Sequence, residues 1–176
     1  PLSLQTANNY YVNEEGFEDL VRAAYPLWRD IIRERTLVMR GTDIFSAGIW
    51  DDAATNLGQA PPEDAYDTGF GTGFEPLETL WNLLYREINR ANTVIDRAEA
   101  VEGMDPGMKA IRVAEAKVLR SMALFYAVQQ WGDIPMPLTE TSTADKEVTK
   151  IAAADVYAQL ITDLTAAESV LPKEAS

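Results

Sequence analysis

The side chains best equipped for chemistry crowd one stretch. Between Arg40 and Arg86 stand Asp43, Asp51, Asp52, Glu63, Asp64, Asp67, Glu75 and Glu78, interleaved with aromatic rings and with no lysine or arginine among them. The segment DTGFGTGFEP (67–76) runs a glycine at every second position into a helix start. A phosphate loop uses such glycines for close backbone approach and the helix N-terminus for its dipole. Here a phosphate would meet a negative field and no cation, so nucleotide chemistry is set aside. Asp51 and Asp52 are adjacent, whereas glycoside hydrolysis needs two carboxyls facing each other at roughly 5 to 9.5 Å across the bond. Calcium on Asp43, Asp51 and Asp52 is conceivable, but the EF-hand pattern is absent. With no His and no Cys, the Ser-His-Asp and Cys-His triads, His- and Cys-ligated metals and disulfides all drop out. No cofactor, metal or catalytic residue is expected.

The chain must then build a surface that these residues can occupy. Its 176 residues, 47 % hydrophobic with four Trp, suffice for one domain with a real core. A formal charge of −13 opposes nucleic acid and anionic membrane as partners, since both need a basic surface. No apolar run approaches the roughly 18 residues of a membrane span, and the first ten residues do not follow a signal-peptide pattern. The chain reads as soluble, a processed or trimmed piece of an exported protein.

Helical periodicity dominates outside the acidic stretch. Asn13 reads as an N-cap with Glu14 and Glu15 in the first turn, and Phe17, Leu20, Val21, Ala24, Leu27, Trp28, Ile31 and Ile32 recur on one face, with a kink expected at Pro26. From about Gly41 to Pro76 the period dissolves and six of the ten glycines gather, which is a long loop region. Its rings Phe45, Trp50, Tyr66, Phe70 and Phe74 argue for packing rather than disorder. After Pro76, Trp81, Leu84, Tyr85, Ile88, Asn92 and Ile95 form a stripe, with Asn92 expected to be a buried amide bonded to a neighbouring helix or loop. The break GMDPG (103–107) precedes a second strong helix carrying Ile111, Ala114, Val118, Leu119, Met122, Phe125 and Tyr126. Gly132 and Pro135 stop it. A polar connector leads to a third helix with Val156, Leu160, Ile161, Leu164 and Leu171 as its apolar side. Glu115 and Arg120, five apart, point to different faces and are expected to bond neighbouring helices.

Four segments resemble, in order and spacing, the N-terminal half of the SusD/RagB family: FEDLVRAAYPLW (17–28), WNLLYREINRANTVI (81–95), EAKVLRSMALFYAVQQWGDIP (115–135) and DVYAQLITDLTAAESVLP (155–172). The resemblance implies a surface-exposed outer-membrane lipoprotein of Bacteroidota. Such proteins capture glycans, or in some branches peptides, without catalysis and hand them to a SusC-like TonB-dependent transporter. It also implies an all-α, tetratricopeptide-like antiparallel helical array with a long irregular ligand-facing loop region. Residues 1–176 then read as the N-terminal portion of one SusD-like domain, with the first helix and loop region over 1–80 and tetratricopeptide-like helices over 81–176. Family members are several times longer and carry a lipidated cysteine, so a membrane would be met only through an anchor absent from this chain.

In that family the segment before the Trp81-type helix contributes to ligand contact. Aromatic faces pack on the C–H face of a pyranose while carboxylates and amides bond its hydroxyls. Trp50 with Asp51, Asp52 and Asn56 is the clearest such cluster, followed by Tyr66, Phe70 and Asp43. A second role stays open for these rings, that of pinning the loop onto the helices, with the glycines merely letting the chain bend. Two other functions stay open as well: capture of extended peptides, and a helical-repeat scaffold that binds only proteins.

Overall fold

The computed structural model describes residues 10–34, 39–40, 42, 44–45, 66, 69, 71–143 and 148–173. Among these the chain is all-α: helices α1 (Glu14–Arg22), α2 (Ala24–Arg33), α3 (Glu75–Arg97), α4 (Pro106–Trp131) and α5 (Ala153–Glu168), with a 3-10 turn at Ala98–Ala100. Isolated bridges, Asn13 with Glu102 and Ile134 with Ile151, are the β-type pairings among the described residues.

Local chemistry explains most helix boundaries. Asn13 is extended and its side chain accepts from the Gly16 amide at 2.9 Å, which satisfies one of the donors left open at a helix start. Asp105 does the same for Met108 at 2.9 Å, with Pro106 in the first turn of α4. Gly132 ends α4 at φ 69°, a region that disfavours side chains, while its amide still bonds Val128. The kink expected at Pro26 is a full break at Ala23, three residues earlier. Proline has no N–H to bond Arg22, and its ring would clash with that carbonyl, so Pro26 is accommodated in the first turn of a new helix. Similarly, α3 starts at Glu75 and takes Pro76 into its first turn rather than beginning after it.

Two compact units divide the chain, one combining Pro1–Trp28 with Leu84–Ser176, the other Arg29–Leu83. In the first, the 3-10 turn leads from α3 into α4, and α5 packs on α4. A buried cluster joins Phe17, Leu20 and Val21 of α1 to Ala91 and Val94 of α3, Val101 and Met104 of the turn, and Ala116 of α4. Small residues at the helix contacts let backbones approach closely. Described residues of the second unit comprise the end of α2, a short turn in which Thr42 and Phe45 bond each other's backbone, the Gly71–Phe74 turn and the first turns of α3.

Several expectations about faces fail. Ile32 of α2, Phe125 of α4 and Ile161 and Leu164 of α5, all expected on apolar sides, are exposed, the last two at 66 % and 43 %, and Leu171 lies beyond the end of α5 at Glu168. The buried stripe of α5 is Val156, Leu160, Asp163 and Ala167, because Arg120 of α4 pulls the aspartate rather than the isoleucine inward.

Candidate functional site

The described polar groups converge on the connector that follows α4. Arg120 is almost fully buried and gives Nε and Nη2 to Asp163 Oδ2 at 3.0 and 2.7 Å, and Nη1 to Asn92 Oδ1 at 2.8 Å and the Leu138 carbonyl at 3.2 Å. The Asn92 amide in turn donates to the carbonyls of Pro137 and Thr139, both at 3.0 Å. Gln159 steadies the other oxygen of Asp163 at 3.2 Å. Two helices, α3 through Asn92 and α4 through Arg120, thus hold one extended connector by its backbone while α5 anchors Arg120 through Asp163, and a buried charge is tolerated because it is paired and hydrogen-bonded. Asn92 and Arg120 therefore take the structural roles their positions suggested.

The same connector is clamped along its length. Tyr85 donates to the Pro135 carbonyl at 2.7 Å, and burial pushes its phenol well above the usual range. Asn89 and Thr141 exchange two bonds, at 3.2 and 2.7 Å. Arg97 forks onto Glu140 at 2.9 and 2.8 Å while its guanidinium lies 5.5 Å from the centre of the Tyr11 ring. Asp133 caps α5 from twenty residues upstream by accepting from the Ala153 amide at 2.9 Å. Glu115 is occupied by Arg112, which also holds Glu18 of α1. Groups so fully engaged position a chain and are not poised to react.

Glu87 is the exception. It is completely buried, and neither carboxylate oxygen has a hydrogen-bond partner. Desolvation pushes its pKa up to about 7, against a smaller lowering by the Arg90 charge. It continues the stripe of Ala91, Val94 and Ala98 at spacings of four, three and four, so helix geometry places it on the core side. The aspartate at 163 follows the same logic, sitting at i+7 from Val156 and i+3 from Leu160. Sequence reading passed over both, although an acid on an apolar stripe is a legible signal.

A hollow of about 580 Å³ lies beside the start of α1, lined by Asn13, Glu14, Glu15, Glu102 and Gly103. It offers no aromatic ring for a sugar face. Among the described residues no three acidic side chains are gathered to hold a metal ion, and no helix is long and apolar enough to cross a membrane.

Of the expected ligand face, Tyr66 is highly exposed at 68 %, in a left-handed backbone conformation with φ 49°. Asp43, Trp50, Asp51, Asp52, Asn56 and Phe70 lie outside the described residues.

Comparison with known proteins bears on the whole arrangement. A family model, SusD-like and described as starch-binding and associating with the outer membrane, matches residues 55–176. A SusD-like protein from Bacteroides fragilis superposes with a TM-score of 0.72 at 15 % identity over 96 % of this chain and 32 % of its own. A laminarin-binding SusD-like protein gives 0.76 at 21 %, over 94 % and 36 %. A structure with a xylogluco-oligosaccharide gives 0.69 at 23 %, over 91 % and 30 %. At these identities the likeness shows the fold, and the chain spans about a third of the length of each structure. No curated protein sequence matches.

Proposed function

Because the chain belongs to the SusD-like family of starch-binding proteins that associate with the outer membrane, we propose that it serves the non-catalytic capture of oligosaccharide at the cell surface and its delivery to a SusC-like TonB-dependent transporter. The observation that carries this reading is the family match over 55–176, which takes in the end of the acidic, aromatic stretch and all of α3 to α5. Relatives of the same fold are described with laminarin and with a xylogluco-oligosaccharide, which supports a β-glucan or starch-like ligand class. The residues assigned to ligand contact are Trp50, Asp51, Asp52 and Asn56, then Asp43, Tyr66 and Phe70. Stacked rings would supply apolar contact to a pyranose, and the carboxylates would orient it through its hydroxyls. The saturated network around Arg120 leaves its groups a scaffolding role in this reading, as expected of capture without chemistry. A lipid anchor would hold the complete protein at the outer membrane.

Calorimetric titration of the complete protein with starch, laminarin and xyloglucan oligosaccharides and with short peptides tests the reading, with Trp50→Ala alongside. We expect saturable heat with one glycan class and a weakening of about tenfold or more in the variant, the loss of roughly 1.4 kcal/mol. Heat only with short peptides, or with nothing, would sink the glycan assignment. Unchanged affinity in the variant would remove Trp50 from the site.

A further inference from the structure

The interior of the first unit holds two polar groups without partners. Glu87 of α3 is completely buried with neither carboxyl oxygen hydrogen-bonded, and the Ser121 hydroxyl of α4 is buried in the same condition, so it does not rescue the acid. A neutral acid is tolerated in such a place, whereas a carboxylate needs a counter-charge, hydrogen bonds or water. The charges on the neighbouring elements are committed elsewhere. On α1, Glu18 holds Arg112, and Asp19 holds Tyr10 and Arg22. Tyr25 of α2 bonds Glu115 of α4, which also holds Arg112, and Arg120 is shared between Asp163 and Asn92. Glu140 of the connector holds Arg97. Lys117 and Arg90 join none of these pairs, and it is the Arg90 charge, one turn along the same helix, that acts on Glu87.

Glu87 lies just before the most heavily pinned stretch of α3. From Ala91 onward the helix enters the cluster with Phe17, Leu20 and Val21, and Asn92, Asp96 and Arg97 tie it to the connector. Among residues 84–90 that tie is made by Tyr85 and Asn89, the bonds of Asn89 being open to solvent. We infer that Glu87 is a pH latch on this stretch: as a neutral acid it keeps residues 84–90 closed, and as a carboxylate it turns out to water beside Arg90 and opens them, while α5 stays packed on α4. This chain has no histidine, so at their ordinary values none of its side chains changes charge between about pH 5.5 and 8. Burial alone would make the stability of the whole fold depend on the Glu87 proton. The latch makes the response local.

Hydrogen exchange of the complete protein, resolved by peptide and expressed as protection factors, tests the latch. Protection of residues 84–90 should fall about tenfold per pH unit, about 100-fold between pH 5 and 7, because the open form binds the proton more weakly than the closed one. By about pH 8 those amides should exchange nearly as fast as in an unfolded chain, while residues 153–168 of α5 remain protected. Glu87→Gln keeps the shape of the side chain and cannot ionise, so 84–90 should stay protected in it across the whole range. Glu87→Leu gives the same readout should the glutamine variant fail to accumulate. Residues 84–90 that stay protected at pH 8 overturn the inference, as does a loss that persists in both variants. Parallel loss in 84–90 and 153–168 overturns it too, since the proton then acts on the unfolding of the whole protein and not on a local opening.

Discussion

The two faces of α5 invert the usual distribution of polarity. Inward, between Val156, Leu160 and Ala167, sits Asp163. Outward stand Tyr157, Ile161 and Leu164. The aspartate is tolerated because Arg120 forks onto it and Asn92, Gln159 and the Leu138 carbonyl complete the set. The contrast teaches that burial on α5 follows the availability of a partner and not hydrophobicity alone. Glu87 of α3 is the opposite case: equally buried, and without a partner.

The inward face is the first place to break. Asp163→Ala leaves the Arg120 guanidinium buried without its counter-charge and should cost about 3 to 5 kcal/mol in urea unfolding. Replacing both partners, Arg120→Met with Asp163→Leu, should recover much of that loss. A double variant as unstable as the single one would show that the connector's backbone bonds, not the charge pair, dominate.

Glu87 sharpens the comparison through pH. Its folded pKa is raised from 4.5 to about 7, so below 4.5 the carboxyl is neutral in both states and ionisation imposes no cost. As pH rises, the unfolded chain alone loses its proton, and stability falls until the folded group also ionises. The loss should approach about 3 kcal/mol by about pH 8. Glu87→Gln should flatten that slope, measured as urea midpoints between pH 4.5 and 8, and a variant with an unaltered slope would move the titration to another group.

Smaller effects lie at the edges. Asn13→Ala removes the α1 cap and should cost about 1 kcal/mol, read from the thermal midpoint. Ile161→Ser, on the open side of α5, should change the stability of this 176-residue chain by less than about 0.5 kcal/mol. A loss of several kcal/mol there would mean that the outer face is already packed and would erase the contrast between the two faces.

Legibility divided along the same line. Asn13, Asp105-Pro106 and Gly132 announce helix ends in the sequence because caps and positive φ are local requirements, and the α3 stripe around Leu84, Ile88 and Asn92 announces itself by period. The cap of α5 does not, since it comes from Asp133 across a loop. Pro26 was legible as a disturbance, but its outcome, a break at Ala23, depended on whether one kinked helix or two straight ones packed better. Of the candidate ligand face, the aromatic and acidic residue types were legible, and all of its members but Tyr66 lie outside the described residues. Tyr66 has an exposed ring on a left-handed backbone that no propensity suggests.

By itself the sequence determined the all-α character, the helix ends at Asn13, Asp105-Pro106 and Gly132, the acidic charge of −13 and the lack of histidine and cysteine chemistry. Those properties follow from composition and from interactions within a turn or two of chain. Only the tertiary structure decided which side of each helix faces inward, admitting Asp163 and Glu87 and leaving Ile161 and Leu164 outside. Periodicity fixes which residues share a face, but the energy of burying that face belongs to the neighbour that covers it, and the neighbour is chosen by the fold.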